Sequence, residues 1–451
     1  MPREHLVGLA QCFFRPVVKS RPPAQGFWKL VISPLNPLPF ADRLRIVGRK
    51  MSSRRVHPWV FMVLIIPFGV VSGYFTVTLA YELNQAGVSV AKIATLGSLV
   101  LLPQTWKFFW APVVDLTLNQ KKWYVISGAL TAIGIGSIGF FPATSPGLAA
   151  LSVIAFVSSL ASTVLGMSVE SLLAYDAPDD LKGRAAGWYQ AGNLGGAGIG
   201  GGLGLVLVEK LHAPWMASSI VGVLCLICCF ALLWTPMPGR FAHAPGFGQA
   251  MKATLKDLWE MLRKRAPLLA LILCFLPVGT GAAPFAAIAD EWKASADTVA
   301  LVTGVLGGLI SAVGCLAGGW ICDRMNRQAA YVWFGILQAA SGIVMALLAR
   351  TPTMYITWAL VYTFTIGLTY AAFSAFVLEA IGQGAAATKY NALASLSNVP
   401  IYYMTIVDGW AHDRWSSNGM FFMESGLAVA GAVIFFVLSK ALLRPKTGSA
   451  V

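Results

Sequence analysis

Charge is scarce in this chain. Asp, Glu, Lys and Arg make up 12% of 451 residues, whereas 57% are apolar; an ordinary soluble protein carries about 25% charged residues. That balance excludes a soluble enzyme. No Gly-x-x-x-x-Gly-Lys-Ser/Thr loop and no His-Glu-x-x-His pair occurs, so neither ATP-driven pumping nor zinc proteolysis is encoded. The first fifty residues lack the apolar core and small-residue cleavage site of a signal peptide. There are only seven cysteines; Cys225, Cys228 and Cys229 form a Cys-x-x-Cys-Cys inside an apolar run, where small apolar packing explains them better than metal ligation. No metal or cofactor is expected.

What the chain has instead is long apolar runs, continuous rather than alternating, of the roughly 20 residues that carry a helix across a bilayer. They lie near 58–82, 89–114, 122–141, 147–175, 184–207, 214–234, 266–289, 296–322, 329–349, 353–379, 387–408 and 419–441. The expected fold is all-α and polytopic: a six-helix bundle over 58–234, a linker over 235–265, a second six-helix bundle over 266–443 and a tail over 444–451. In the linker, Met251, Leu255, Leu258, Trp259 and Leu262 share a face, which predicts an amphipathic helix over 247–265 at the membrane surface.

Lys and Arg orient the spans. With the N-terminus inside, inner segments hold 27 of the 33 basic residues and outer loops hold Lys210, Lys293, Arg350 and Arg414, which predicts both termini in the cytoplasm. The net charge of +14 follows from this topology and calls for no nucleic acid. Segment 1–57 is basic and predicted to be disordered. It reads either as an arm drawn to anionic headgroups or as a leader translated from a start upstream of Met51.

The two halves repeat. Ala111-Pro112-Val113-Val114-Asp115 closes the second span and Gly319-Trp320-Ile321-Cys322-Asp323-Arg324 the eighth, an offset of 208; Arg184 and Asn193 are echoed by Lys389 and Asn398 at 205; Pro67-Phe68-Gly69 ahead of Glu82 is echoed by Pro277-Val278-Gly279 ahead of Glu291. Duplicated bundles of this kind build transporters around a midplane site.

Gly319, Asp323, Arg324 and Arg327 after the eighth span, in two six-helix halves, resemble the major facilitator superfamily over 58–443. Lys107-Phe108-Phe109-Trp110-Ala111-Pro112-Val113-Val114-Asp115 and Thr388-Lys389-Tyr390-Asn391-Ala392-Leu393-Ala394-Ser395 resemble, more narrowly, the muropeptide permeases and the related peptide and acetyl-coenzyme A transporters. That group's acidic fourth-helix pattern is mostly absent, with Thr163 and Val164 in its place. The resemblance implies that Asp115, Arg184, Asp323, Arg324 and Lys389 make the cytoplasmic ion pairs and helix-end contacts that close the outward-facing state. It also implies a cavity lined by the first, fourth, seventh and tenth helices.

Ionisable groups inside spans cost about 2.5–3.5 kcal/mol and usually face a cavity. Lys107, whose counterpart is the neutral Cys315, is the expected contact for a substrate anion or a counter-ion, unless it snorkels to the inner interface. Glu170 continues a polar stripe with Ser159 and Thr163. Burial favours the protonated form of a carboxyl group, so Glu170 is the expected proton carrier, with Glu82, which closes a stripe with Tyr74, Thr78 and Tyr81, as second candidate. Tyr355, Trp358, Tyr362, Thr365, Thr369 and Phe373 form one aromatic and hydroxyl face on the tenth span, suited to sugars, peptides or other amphipathic solutes. Helix packing explains that face equally well. The expected solute contacts are therefore Lys107, Tyr74, Thr163, Asn193, Trp358, Tyr362, Thr365, Thr369 and Asn398. Glu424 is expected at the interface. The glycines from Gly195 to Gly204 serve close helix approach; they also approximate the glycine motif of drug exporters.

The function these features predict is proton-coupled uptake of an amphipathic, muropeptide- or peptide-like solute by a monomer whose partners are the bilayer, protons and the solute. Siderophore uptake and proton-antiport export are the alternatives, and a non-transporting receptor or embedded enzyme is the reading from another class.

Overall fold

The computed structural model describes residues 56–211, 213–235, 247–281, 283, 285–382 and 386–443. Segment 1–55, the tail 444–451 and linker residues 236–246 lie outside the described residues. All regular structure among the described residues is helical.

Eight of these helices are long and apolar enough to cross a membrane: Trp59–Gln85, Leu148–Asp176, Asp179–Lys210, Pro214–Trp234, Asp297–Cys322, Arg327–Leu347, Pro352–Ile381 and Thr388–Leu442. The last covers both the eleventh and the twelfth expected spans, which part at the non-helical dihedrals of Trp415 and Ser416. The second, third and seventh expected spans fall outside that set, each for a local reason. The second is split at Trp106 into Val90–Thr105 and Lys107–Leu116, and each piece carries a proline, Pro103 and Pro112, that withholds one backbone donor. The third, Gln120–Ile138, opens on the polar Gln120-Lys121-Lys122. In the seventh, helix Arg265–Leu273 stops before Pro277. Gly279 (φ 69°) and Gly281 (φ 63°) then adopt left-handed dihedrals open to glycine, and helix resumes only at Phe285.

The apolar core shows how the halves meet. One cluster, containing Phe61, Leu165, Tyr189, Leu273, Phe334, Leu378 and Leu393, joins both halves where the spans carry their basic ends. Toward the opposite end the core divides into one cluster within the first half, around Tyr74, Phe75 and Ile135, and another within the second, around Trp292, Tyr355 and Phe421. The halves touch through the fifth span against the eighth and tenth, and through the eleventh against the second and fourth. The apolar core is thus shared at the basic end and divided between the halves at the other, while the fifth and eighth spans stay in contact as far as Gly202 and Val305.

Linker helix Phe247–Leu262 packs by Thr254, Leu258, Met261 and Leu262, while Leu255 and Trp259 stay exposed. Leu258 and Leu262 of the expected apolar face thus meet the protein, and Leu255 and Trp259 of the same face point away from it.

Candidate functional site

Three layers follow one another along the fifth span, starting at the basic end. The first is a clasp between the halves. Asp323, at the end of the eighth span, accepts hydrogen bonds from the backbone N–H of Gly183 (2.7 Å) and Arg184 (3.1 Å) and from Arg184 Nε (2.8 Å). These amides open helix Lys182–Lys210 and have no partner within it, and the helix dipole adds positive potential there. The repeat reproduces the contact: Asp115 Oδ2 accepts from the backbone N–H and the hydroxyl of Thr388, each at 2.9 Å, where the eleventh span begins. Each half's second helix therefore holds the start of the other half's fifth.

Other charges of the motif lie beside the clasp. Lys389 Nζ pairs with Asp257 of the linker helix at 2.7 Å. Arg327 bonds Glu379 (2.7 Å) and reaches across to the carbonyl of Asp179 (2.9 Å). Arg324, expected among the gating residues, lies 3.6 Å over the ring of Trp320 and bonds that residue's carbonyl in its own half. The sequence motif names both arginines but does not reveal which of them leaves its own helix. Close approach behind the clasp needs glycine: a Cβ on Gly187 would fall 2.5 Å from the carbonyl oxygen of Cys315, and one on Gly319 would fall 2.6 Å from that of Gly183.

The second layer is a buried polar network. Lys107 Nζ bonds Glu170 Oε1 at 3.0 Å, and the Tyr189 hydroxyl donates to the same oxygen at 2.8 Å. Lys107 is the first residue of its helix, where the dipole disfavours a cation, so the carboxylate of Glu170 compensates two penalties, burial and the dipole. Glu170 Oε2 has no hydrogen-bond partner among the described residues. Tyr189 meets Tyr390 of the other half edge to face at 6.3 Å. Tyr390 donates to Ser374 Oγ (3.1 Å), Gln190 Nε2 donates to the same oxygen (2.7 Å), and Asn193 Nδ2 donates to Gln190 Oε1 (3.1 Å). The second, fourth, fifth, tenth and eleventh spans are thus tied into one layer across both halves.

The third layer is a cavity of about 610 Å³ between the halves, lined by Leu194, Ala197, Gly198 and Gly201 of the fifth span, with Thr76 and Val77 of the first, Ala283 and Phe285 of the seventh, Val302 to Ser311 of the eighth and Ala359, Thr363 and Ile366 of the tenth. Gly201 is 17 residues beyond Arg184, about 25 Å along a helix. Two wider turns of helix, the π segments Tyr74–Leu79 and Leu301–Leu306, face each other across this space. The lining is apolar with scattered hydroxyls, and among the described residues no Asp, Glu, Lys or Arg belongs to it.

Several expected solute contacts lie elsewhere. The tenth span presents Ala359, Thr363 and Ile366 to the cavity; the predicted face is turned into the second half. Tyr362 donates to Glu424, Thr365 bonds its own helix at the carbonyl of Tyr362, and Trp358 packs in the aromatic cluster. Thr369 and Asn398 line a separate void of about 60 Å³ within the second half. Thr163 returns its hydroxyl to the carbonyl of Ser159, and Tyr74 is buried against Phe75. Glu82 is partly buried near the opposite end of the first span. Glu424, expected at the interface, is 5% exposed.

Sequence reasoning did not single out Gln190, Ser374 or Asp408. Asp408 is fully buried with neither oxygen bonded among the described residues. The i, i+3 spacing of Gln190 and Asn193 is a signal for the first; Asp408 is the last residue of the expected span 387–408, where a charge carries little signal.

The sequence profile of the Major Facilitator Superfamily matches residues 60–402. The anhydromuropeptide permease of Escherichia coli is 27% identical over 390 residues, covering 79% of this chain and 76% of that protein. Among solved structures, the fucose:proton symporter of E. coli superposes with a TM-score of 0.65 at 14% identity, covering 86% of this chain and 99% of that one. The human organic anion transporter TETRAN superposes with a TM-score of 0.63 at 17% identity, covering 85% and 99%.

Proposed function

Because the chain belongs to the Major Facilitator Superfamily and is a multi-pass membrane transporter, we propose that it takes up a muropeptide-like solute together with protons, by alternating access. The basic end faces the cytoplasm of a bacterial inner membrane, so the closed clasp makes this the outward-facing state. The observation that carries the reading is the stacking of clasp, charged network and cavity along a single helix.

The network links a proton to the clasp. Ionised Glu170 holds Lys107 and Tyr189 on one oxygen, and Tyr189 abuts Tyr390 of the other half. A proton on Glu170 removes the charge that orders both partners, which loosens the layer beneath the cavity and frees Lys107 for an anionic group of the arriving solute. The cavity's apolar walls and hydroxyls suit a solute with both sugar and peptide parts, and the similarity to the anhydromuropeptide permease supports that class.

The test is uptake of labelled anhydromuropeptide into liposomes holding the purified protein. Acid outside should drive accumulation above equilibrium, and collapsing the gradient should abolish it. Solute that leaves against its gradient as protons enter would establish export instead, and failure to move at either polarity would remove the substrate class.

A further inference from the structure

The second half encloses a pair of acids that the charged network does not use. Glu424 on the twelfth span is 5% exposed and Asp408 on the eleventh fully buried; Asp408 precedes the break at Trp415 and Ser416 by seven residues and Glu424 follows it by eight, which puts them at matching heights on successive helices. Among the described residues neither forms an ion pair, and three of their four oxygens have no hydrogen-bond partner. The fourth, Glu424 Oε1, accepts from the hydroxyl of Tyr362. Gln338 of the ninth span, 4% exposed, turns into the same place with its Oε1 unpartnered. Glu424, Gln338, Tyr362 and Thr280 line a void of about 10 Å³, which is about the smallest space that admits one water.

Among the described residues, the surroundings supply no compensating cation. The seventh span contributes the uncharged Gly279 and Thr280, the ninth Gln338, the tenth Tyr362 and the twelfth Ser425, which donates to the carbonyl of Ala339. On the eleventh, His412 is one turn from Asp408, and its Nε2 is bound at 2.9 Å to Glu291. Two neighbouring carboxylates without a counter-charge are costly while the interior stays dry, since each desolvated ion costs several kcal/mol, so the enclosed pair holds a proton and gives it up only when water reaches it. Gly279 and Thr280, at the interruption of the seventh helix, line both this void and a second one of about 60 Å³, whose lining includes the exposed Asn398.

We propose that Asp408 and Glu424 form a second proton-binding site, enclosed in the second half, whose proton is exchanged during the transport cycle. Loading adds one proton to an oxygen of the pair, leaving one carboxyl and one carboxylate. Release passes it to water through the gap in the seventh helix. Coupling through this site rests on the proton-uptake reading above; the presence of the proton does not.

Infrared spectroscopy of the purified protein in lipid, titrated with acid in potassium chloride, tests the site without any solute. The wild type should gain a protonated-carboxyl band that Glu424→Gln and Asp408→Asn each lose and that Glu170→Gln keeps, with Glu424→Asp restoring it. The amide bands report whether each variant is folded. Spectra of both acid variants that superimpose on wild type at every pH would overturn the proposal, as would a wild-type band displaced when sodium replaces potassium. In liposomes, Glu424→Gln should lose accumulation driven by a pH gradient and keep solute counterflow; equal loss of both would reduce the pair to a structural role. Wild-type uptake indifferent to the pH gradient would remove the uptake reading, and the infrared bands would then decide the site alone.

Discussion

Lys107 and Glu170 stand 63 positions apart in the chain and 3.0 Å apart in space, and the hydroxyl of Tyr189 bonds the same carboxylate oxygen. The side chains of the pair are only 10% and 4% exposed, so neither charge has water to fall back on. Removing one partner strands the other. Lys107→Met or Glu170→Gln alone should destabilise the first half by about 3–5 kcal/mol. The double variant should recover much of that loss, because two neutral side chains leave no buried ion. Thermal unfolding of the four proteins in one detergent gives the coupling as a double-mutant cycle; additive losses would mean that the pair is not a unit.

The clasp makes a prediction about populations. Asp323 satisfies three donors at the start of the fifth span, and losing a side chain that caps a helix start costs about 0.5–2 kcal/mol. A change of one or two kcal/mol shifts a two-state ratio by roughly 5–30-fold. Asp323→Ala should therefore favour the state open at the basic end. Cys322, 2% exposed, is a built-in reporter. In a variant retaining only that cysteine, Asp323→Ala should speed its labelling by a polar maleimide, and Asp115→Ala, acting on Thr388, should do the same from the other half. Unchanged labelling rates would show that the carboxylates do not hold the halves together.

Closure also depends on backbone contact. A side chain on Gly187 meets the carbonyl of Cys315, so Gly187→Val should hold the fifth and eighth spans apart and stop transport while the protein still inserts. Spin labels at the basic ends of those spans should report a longer distance than in wild type. A wild-type distance would mean that the helices yield elsewhere.

The cavity separates two sets of residues on the tenth span. Thr363 and Thr365 each return a hydroxyl to their own helix, but Thr363 lines the space and Thr365 does not. Thr363→Trp should abolish solute binding measured by thermal shift, whereas Thr365→Ala should leave it intact. The opposite ranking would restore the aromatic face as the binding surface.

Much of the architecture was written in the sequence, and the limits have physical causes. The clasp was legible because it occurs twice: Asp115 and Asp323 repeat at 208, Arg184 and Lys389 at 205, and both carboxylates meet helix starts. Lys107 and Glu170 were each legible as costly buried charges, but their pairing depends on how the second and fourth spans pack, which no local spacing encodes. The orientation of the tenth span is not legible, because in lipid a polar stripe serves a helix neighbour as readily as a cavity; Tyr362 turns to Glu424, and Ala359, Thr363 and Ile366 line the open side. Cavity walls made of glycine and alanine carry no sequence signal that distinguishes them from packing.

The central claim is that a proton on Glu170 couples the cavity to the clasp. Liposomes containing Glu170→Gln, compared with wild type for anhydromuropeptide uptake under an inward proton gradient and for counterflow without one, test it most directly. The account predicts that the variant exchanges solute yet no longer accumulates it. Accumulation by the variant with the gradient dependence of wild type would contradict the claim.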